Sequence, residues 1–339
     1  AYWRNPSFPV YDDNGDYWLY GAQDYSHPLA LTNLQKNDSK GLDIISFASV
    51  NWDVLPCLNV MAQFNYKHGE QITDKYFPKK YSETGVFNDG YGSIDNWKDD
   101  NIVFEAYATF DRTFAEKHRL TVMGGYSYEN YQSRSSSLAA KGFINESLGN
   151  ENLAAGDSET YSIGNGSYKT ELVSALTRIN YTFDNRFLFT FTARADGSSK
   201  FRYNDTRWGT FWSVGGAWRL SGESWLADAT WLTDLKLRAD YGVMGNQGGV
   251  DRYSGYQTWN YGANGYTYSG TNVVPAAITL GLGNYVNSGL TWEKKKTFDL
   301  GLDFRLWDRF YGTIDYYNTT VDDMIWDLSL IHISEPTRQ

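Results

Sequence analysis

The 339-residue sequence is poor in several features that define common protein classes. Its single cysteine, Cys57, excludes an internal disulfide framework and a cysteine-based zinc site. No apolar run reaches the roughly 18 residues of a membrane helix, which excludes a helical membrane protein. The net charge of −10 provides no basic patch for nucleic acid. With only seven prolines and no block of like charge, the chain also does not resemble a disordered protein.

Aromatic side chains are abundant instead, with 27 Tyr, 18 Phe and 13 Trp spread among polar residues. Many belong to segments in which apolar and polar residues alternate, the period of a β-strand with two different faces. The clearest segments are 58–67, 102–111, 119–128, 187–196, 235–243 and 297–306, with weaker ones near 42–52, 173–183, 210–220 and 310–318. This predicts about ten strands, each near the 9 to 11 residues of a strand that crosses a membrane at a tilt.

The connections between these segments alternate in length. Short connections lie near 53–57, 113–117, 184–186 and 307–309, and long ones near 68–100, 130–170, 197–208 and 244–296. A connection of intermediate length, 221–233, falls where a short one is due. Short turns at one end and long loops at the other are typical of outer-membrane barrels. The sequence therefore predicts an all-β, antiparallel transmembrane barrel segment.

Several segments also match a known family pattern. They are TRINYTFDNRFLFTFTARADGSSKF (177–201), RWGTFWSVGGAWRLSGESWL (207–226), LTDLKLRADYGVMGNQ (232–247), LTWEKKKTFDLGLDFRLWDRFYGTIDYYNTT (290–320) and EKHRLTVMGGYSYE (116–129). On these segments the chain resembles the SusC/RagA type of TonB-dependent outer-membrane transporters.

The resemblance implies a plugged barrel of about 22 strands, of which this chain would hold about ten. It implies import of glycans or, in some members, oligopeptides across the outer membrane of a Gram-negative bacterium. The implied partners are a SusD-like surface lipoprotein and the TonB complex, which acts through the plug. The sequence shows no plug domain and no TonB box. We therefore expect residues 1–327 to form part of a barrel, with no catalytic residues, no metal site and no cofactor.

The last residues, 328–339, depart from the family pattern. The string SLIHISEPTRQ (329–339) resembles the translation of a sequencing adapter rather than barrel sequence. We expect this tail to be non-native, and the alternative is a genuine divergent C-terminus.

Two short motifs that match the family lie at the ends of predicted strands. The first is Asp196, Gly197, Ser198 and Ser199, and the second is Gly245, Asn246 and Gln247. Aspartate and serine side chains stabilise tight turns by hydrogen bonds to the backbone, which is the structural interpretation of the first motif. A contact with a transported ligand is the functional alternative.

A third candidate site is the aromatic-rich loop 253–268. Its rings are Tyr253, Tyr256, Trp259, Tyr261, Tyr266 and Tyr268, set among glycine, asparagine and serine. Such rings offer flat apolar faces with polar tips, which suits stacking on sugar rings. Packing against a partner or a neighbouring loop explains the same composition.

Two other classes of function remain open at this point. A different outer-membrane barrel, such as a porin or an adhesin, would show the same alternation. A soluble, aromatic-rich β domain that binds or hydrolyses carbohydrate is less consistent with the alternating loop lengths.

Overall fold

A computed structural model describes residues 7–20, 27–201, 206–226, 228–262, 279–282 and 289–325. Within these ranges the protein is almost entirely β. The strands are β1 (Lys36–Leu55), β2 (Leu58–Phe77), β3 (Tyr91–Phe114), β4 (His118–Lys141), β5 (Ser162–Phe183), β6 (Phe187–Ser198), β7 (Trp208–Arg219), β8 (Leu232–Asn246), β9 (Trp259–Gly262), β10 (Thr279–Leu282), β11 (Glu293–Leu306) and β12 (Phe310–Asp322). Two short α-helices, α1 (Pro28–Leu34) and α2 (Glu83–Phe87), lie in the connections. No helix among the described residues is long and apolar enough to cross a bilayer.

Ten of the strands form one sheet in the order β1-β2-β3-β4-β5-β6-β7-β8-β11-β12, and β9 pairs with β10 separately. From β5 to β12, neighbouring strands of this sheet pair in antiparallel register. Each strand therefore pairs with the next large strand along the chain, which is the meander of an up-and-down barrel wall. The prediction of about ten antiparallel strands is confirmed.

The short connections are tight turns, as the sequence predicts. Asp184 and Asn185 have φ of 54° and 53°, and Trp307 and Asp308 have φ of 50° and 56°. Two consecutive residues with positive φ form a two-residue hairpin turn. The twist of this turn matches the right-handed twist of the two strands that it joins. Asparagine and aspartate tolerate this conformation well, and Trp307 adopts it without being a glycine.

The prediction of strand length and loop length is wrong for the first five strands, which have 20 to 24 residues. They continue through much of 68–100 and 130–170, the segments predicted as long loops. Outside the alternating segments both faces of these strands carry polar residues, so the apolar signal disappears while the backbone pairing continues. We take the alternating segments as the membrane-spanning parts.

The two faces of the strands differ in chemistry. In β3 and β4 the odd-numbered residues form the polar face, since Asp111 contacts Arg119 and Thr121. The opposite face exposes large apolar side chains, including Phe104, Tyr126, Phe187, Phe189, Leu237, Phe298, Leu300 and Ile314. An apolar band of this extent is unfavourable in water and suited to lipid.

The described residues divide into two compact units, each with a small core. One unit comprises 1–46, 66–101 and 131–169, and its core is Tyr76, Ala140 and Phe143. The other comprises 47–65, 102–130 and 170–339. Its core, which we call the motif core, consists of Phe201, Phe211, Val250 and Trp292.

Candidate functional site

The first family motif precedes the motif-core residue Phe201 in the sequence and contains two buried polar side chains, Asp196 and Ser198. Asp196 is 8% exposed and accepts a hydrogen bond of 2.6 Å from Arg194 Nε. Arg194 Nη2 in turn donates to Ser174 Oγ at 2.9 Å. Ser198 is 1% exposed, which leaves its hydroxyl no room for a transported ligand. These contacts favour the structural interpretation of Asp196 and Ser198.

Ser199, at the end of this motif, and the following Lys200 form hydrogen bonds to segments that are distant in the sequence. Ser199 exchanges two hydrogen bonds with the backbone of Glu171, at 2.8 and 2.9 Å. Lys200 Nζ donates to the carbonyl of Val250 at 3.1 Å. A Cβ atom on Gly197 would lie 3.0 Å from the Trp208 ring, tighter than an ordinary contact. This position therefore favours a residue without a side chain.

Phe201 is completely buried, with its ring centroid 4.9 Å from that of Trp292. Phe211 meets the same Trp292 ring edge-on at 5.4 Å. The indole nitrogen donates to the carbonyl of Arg207 at 3.2 Å. Offset and edge-on aromatic pairs of this kind add stability beyond the area that they bury.

The second family motif reaches the same core. A Cβ atom on Gly245 would collide with the Phe211 ring, so the glycine permits close packing. Asn246 donates to Glu293 Oε1 at 2.9 Å and accepts from the Gly248 amide at 2.8 Å. The Asn246 amide, followed by the backbone N–H of Ile325, lowers the pKa of Glu293. Gln247 Oε1 is buried with no hydrogen-bond partner among the residues that the structure describes.

The aromatic loop is described only in part. Tyr253 is 41% exposed, which agrees with a side chain available for contact. Tyr256 instead packs inward, with its hydroxyl 3.4 Å from Arg207 Nη2 and 3.5 Å from the Phe201 carbonyl. The side chains of Trp259 and Tyr261 in β9, together with Tyr266 and Tyr268, lie outside the described residues. The sugar-stacking role of this loop remains a prediction.

The polar face carries a network of charges centred on Arg238. Its guanidinium contacts Asp299 at 2.8 Å and Asp303 at 3.4 Å, and also Asp315. Lys236 Nζ binds the other oxygen of Asp303 at 2.7 Å. These side chains are more than half buried, and a buried charge is unfavourable unless it is paired. Each carboxylate here has a cation or a hydrogen-bond donor close by.

Glycines make room for this network. A Cβ atom on Gly301 would overlap the Arg238 guanidinium, and one on Gly215 would overlap the Asp240 carboxylate. The charged side chains can therefore lie flat across the neighbouring strands. No group of three or more His, Cys, Asp or Glu side chains is arranged to hold a metal within the described ranges.

A polar groove in the unit that contains residues 66–101 and 131–169 was missed by the sequence analysis. Trp97, Ser135 and Ser137 line it, and its volume is about 460 Å³. All three residues lie in segments predicted as loops. The available signal was the two-residue spacing that places Asp95 with Trp97, and Ser135 with Ser137, on one face of their strands. This signal is weak because both faces are polar there.

Comparison with known proteins identifies the fold. A family profile described as TonB dependent receptor-like, beta-barrel matches residues 2–330. The chain is 29% identical over 343 residues to TonB-dependent receptor P3 of Formosa agariphila, an alignment that covers 100% of this chain and 33% of that protein. It is 29% identical over 341 residues to TonB-dependent receptor SusC of Bacteroides thetaiotaomicron, covering 96% of this chain and 32% of that protein.

A solved structure agrees with these matches. The structure of the RagAB peptide transporter superimposes with a TM-score of 0.81 and 25% identity, over 95% of this chain and 35% of that one. The chain thus spans about a third of the length of the relatives that it matches. These relatives are receptors and transporters rather than enzymes. The chain belongs to the β-barrel family of TonB-dependent receptors, and its ten-strand sheet is a segment of a SusC/RagA-type outer-membrane barrel.

Proposed function

We propose that the full-length protein containing this chain imports an oligomeric nutrient, a glycan or an oligopeptide, across the outer membrane. The observation that carries this proposal is the similarity of backbone to the RagAB transporter over 95% of the chain. The two-faced strands support it, because an apolar outer face suits lipid and a polar inner face suits a hydrated lumen.

The contacts on the polar face suggest how the wall contributes to import. Arg238 and Lys236 hold their acidic partners in fixed positions, so this part of the wall presents a rigid hydrogen-bonded surface. A rigid wall gives a moving plug or ligand a constant set of contacts. The charges therefore serve to shape the lumen rather than to perform chemistry.

Energy coupling and partner binding belong to the proposal for the full-length protein. We assign coupling to the TonB complex, acting through a plug and a TonB box outside the matched third of the relatives. We assign ligand capture to a SusD-like lipoprotein that pairs with the barrel. Co-purification of such a lipoprotein with the affinity-tagged full-length protein from outer membranes tests this pairing.

Uptake measurements test the transport proposal directly. The gene for the full-length protein is deleted, and the accumulation of labelled oligosaccharides and oligopeptides is compared with that of the parent strain. The proposal predicts that at least one ligand class accumulates only in the parent and that a protonophore abolishes accumulation. Uptake that persists with the protonophore would indicate passive diffusion, as through a porin, and would contradict energy-driven import.

A further inference from the structure

The polar groove crosses four consecutive strands. It is lined by Gln71 and Thr73 of β2, Asp95 and Trp97 of β3, Ser135 and Ser137 of β4, and Gly164 and Gly166 of β5, together with Asn96, Ser136 and Asn165. Its volume of about 460 Å³ falls within the range of about 300 to 1,000 Å³ that is usual for small-molecule sites. The groove is therefore large enough for a small organic ligand.

The side chains that line the groove at Gln71, Thr73, Asp95, Trp97, Ser135 and Ser137 lie on the polar face of their strands. Odd-numbered residues contact one another here, as Lys75 Nζ contacts Asp95 at 3.5 Å and Gln71 Nε2 donates to Ser39 Oγ at 2.7 Å. Even-numbered residues form a separate set, as in the ion pair of 2.9 Å between Lys98 and Glu70. Trp97 thus shares the side of β3 that carries polar residues along the strand.

Existing contacts hold the groove in shape. Ser39 Oγ is 3.1 Å from Thr73 Oγ1 and also accepts from Gln71, so these two side chains are fixed against β1. Asp95 is held by Lys75. A groove whose walls are already positioned loses less conformational entropy when a ligand binds.

Two glycines form the floor at β5. A Cβ atom on Gly164 would lie 2.6 Å from Ser137 Oγ, and one on Gly166 would lie 3.2 Å from Ser135 Oγ. Any side chain at these positions would therefore occupy space beside the two hydroxyls. The glycines keep both hydroxyls accessible from the groove.

The chemistry of the lining selects among ligand classes. Its one ionisable residue is Asp95, whose charge is paired with Lys75, so the groove offers little unpaired charge to a terminal amine or carboxylate of a peptide. The remaining groups are hydroxyls, amides and one large ring. Trp97 is 40% exposed and can present a flat apolar face. A ring beside neutral hydrogen-bonding groups suits a ligand that has an apolar face and a rim of hydroxyls.

We propose that this Trp97 groove binds a neutral sugar unit of a transported oligosaccharide. The pyranose face stacks on Trp97, and the sugar hydroxyls bond to Ser135 and Ser137 and to the amide of Gln71. This assignment rests on the proposed import function and specifies one of its two ligand classes.

The test uses the purified full-length transporter in detergent. Binding is screened on an array of neutral oligosaccharides that covers the α and β linkages of glucose, mannose, galactose and xylose. Affinity for the best ligand is then measured by calorimetry for the wild type and for Trp97→Ala, Trp97→Phe and Gly164→Val. Trp225→Ala is the matched control, because it removes an exposed tryptophan that does not line the groove.

The proposal predicts that Trp97→Ala and Gly164→Val each weaken binding by about ten-fold or more, and that Trp97→Phe weakens it by less than about three-fold. Trp225→Ala should leave affinity unchanged. The heat-dependent gel shift of a folded barrel checks that every variant is native.

Two results would overturn the assignment. One is unchanged affinity in folded Trp97→Ala and Gly164→Val proteins, and the other is a wild-type protein that binds no neutral oligosaccharide of the array. Protonophore-sensitive uptake of oligopeptides alongside either result would leave the import function standing and remove only the sugar groove. Protonophore-insensitive uptake would instead remove the import function itself.

Discussion

The motif core and the Trp97 groove differ in how far their aromatic rings are exposed. Phe201 and Trp292 are 0% and 3% exposed and are packed on one another, whereas Trp97 is 40% exposed and lines an open groove. Two motifs that match the family adjoin the former, 196–199 in the sequence and 245–247 in space, and the latter lies in segments with no distinctive motif. The difference teaches that a recognisable motif can mark tight structural packing, while the proposed contact surface lies in less distinctive sequence.

The largest expected effect on stability comes from removing the Phe201 ring. Phe201→Ala removes a completely buried aromatic side chain and should lower the free energy of unfolding by about 3–5 kcal/mol. Urea unfolding of the refolded full-length barrel, followed by the gel shift, measures this. Phe87→Ala is the control, since Phe87 is 67% exposed and its removal should cost less than about 0.5 kcal/mol. Equal effects would contradict the account of the motif core.

A smaller effect is expected from filling the space at Gly245. Gly245→Ala places a methyl group against the Phe211 ring and should destabilise the protein by about 1–3 kcal/mol through overpacking. In Gly124→Ala the new methyl group meets no atom within 4 Å, so this variant controls for the change of residue type. The same unfolding titration compares the two variants. A Gly245→Ala protein as stable as the control would show that the core is loosely packed.

Asp196 separates the structural interpretation of the first motif from the functional one. Asp196→Asn weakens the contact with Arg194 and should cost about 1 kcal/mol, because the exposure of Arg194 screens the pair. Ligand affinity, measured by calorimetry on folded protein, should not change. A lower affinity at unchanged stability would restore the role of ligand contact for this residue.

The smallest effect is expected in the groove. Gly164→Ala brings a methyl group close to Ser137 Oγ, a group that can rotate away. Stability should therefore change by less than about 0.5 kcal/mol, in contrast to Gly245→Ala. If both alanine variants lost the same stability, the distinction between a packed core and an open groove would fail.

The sequence predicts the parts of this fold that obey one simple rule. Phe189, Phe191 and Ala193 alternate with the polar residues Thr190, Thr192 and Arg194 because lipid and lumen lie on opposite sides of a strand. The strands and their faces therefore follow from the pattern. The tight turn at Asp184 and Asn185 follows from the short spacing between two such strands. The family resemblance added the barrel type.

Other features depend on contacts that no local pattern records. β2 and β3 extend beyond their alternating segments. In the added lengths the strands contact each other through polar cross-strand pairs, such as Glu70 with Lys98, so the sequence shows no apolar alternation there. The role of Phe201 depends on Trp292, which is distant in the sequence. Trp97 becomes a candidate contact only when three neighbouring strands place hydroxyls and glycines beside it.

The central claim is that one face of these strands meets lipid and the other meets the lumen. In the full-length protein with every native cysteine, Cys57 included, replaced by serine, single cysteines are placed along β4 at Leu120, Thr121, Val122 and Met123 and labelled with bimane. After reconstitution with brominated lipid, the account predicts strong quenching at positions 120 and 122 and weak quenching at 121 and 123. Equal quenching at all four positions would contradict a membrane-spanning barrel wall.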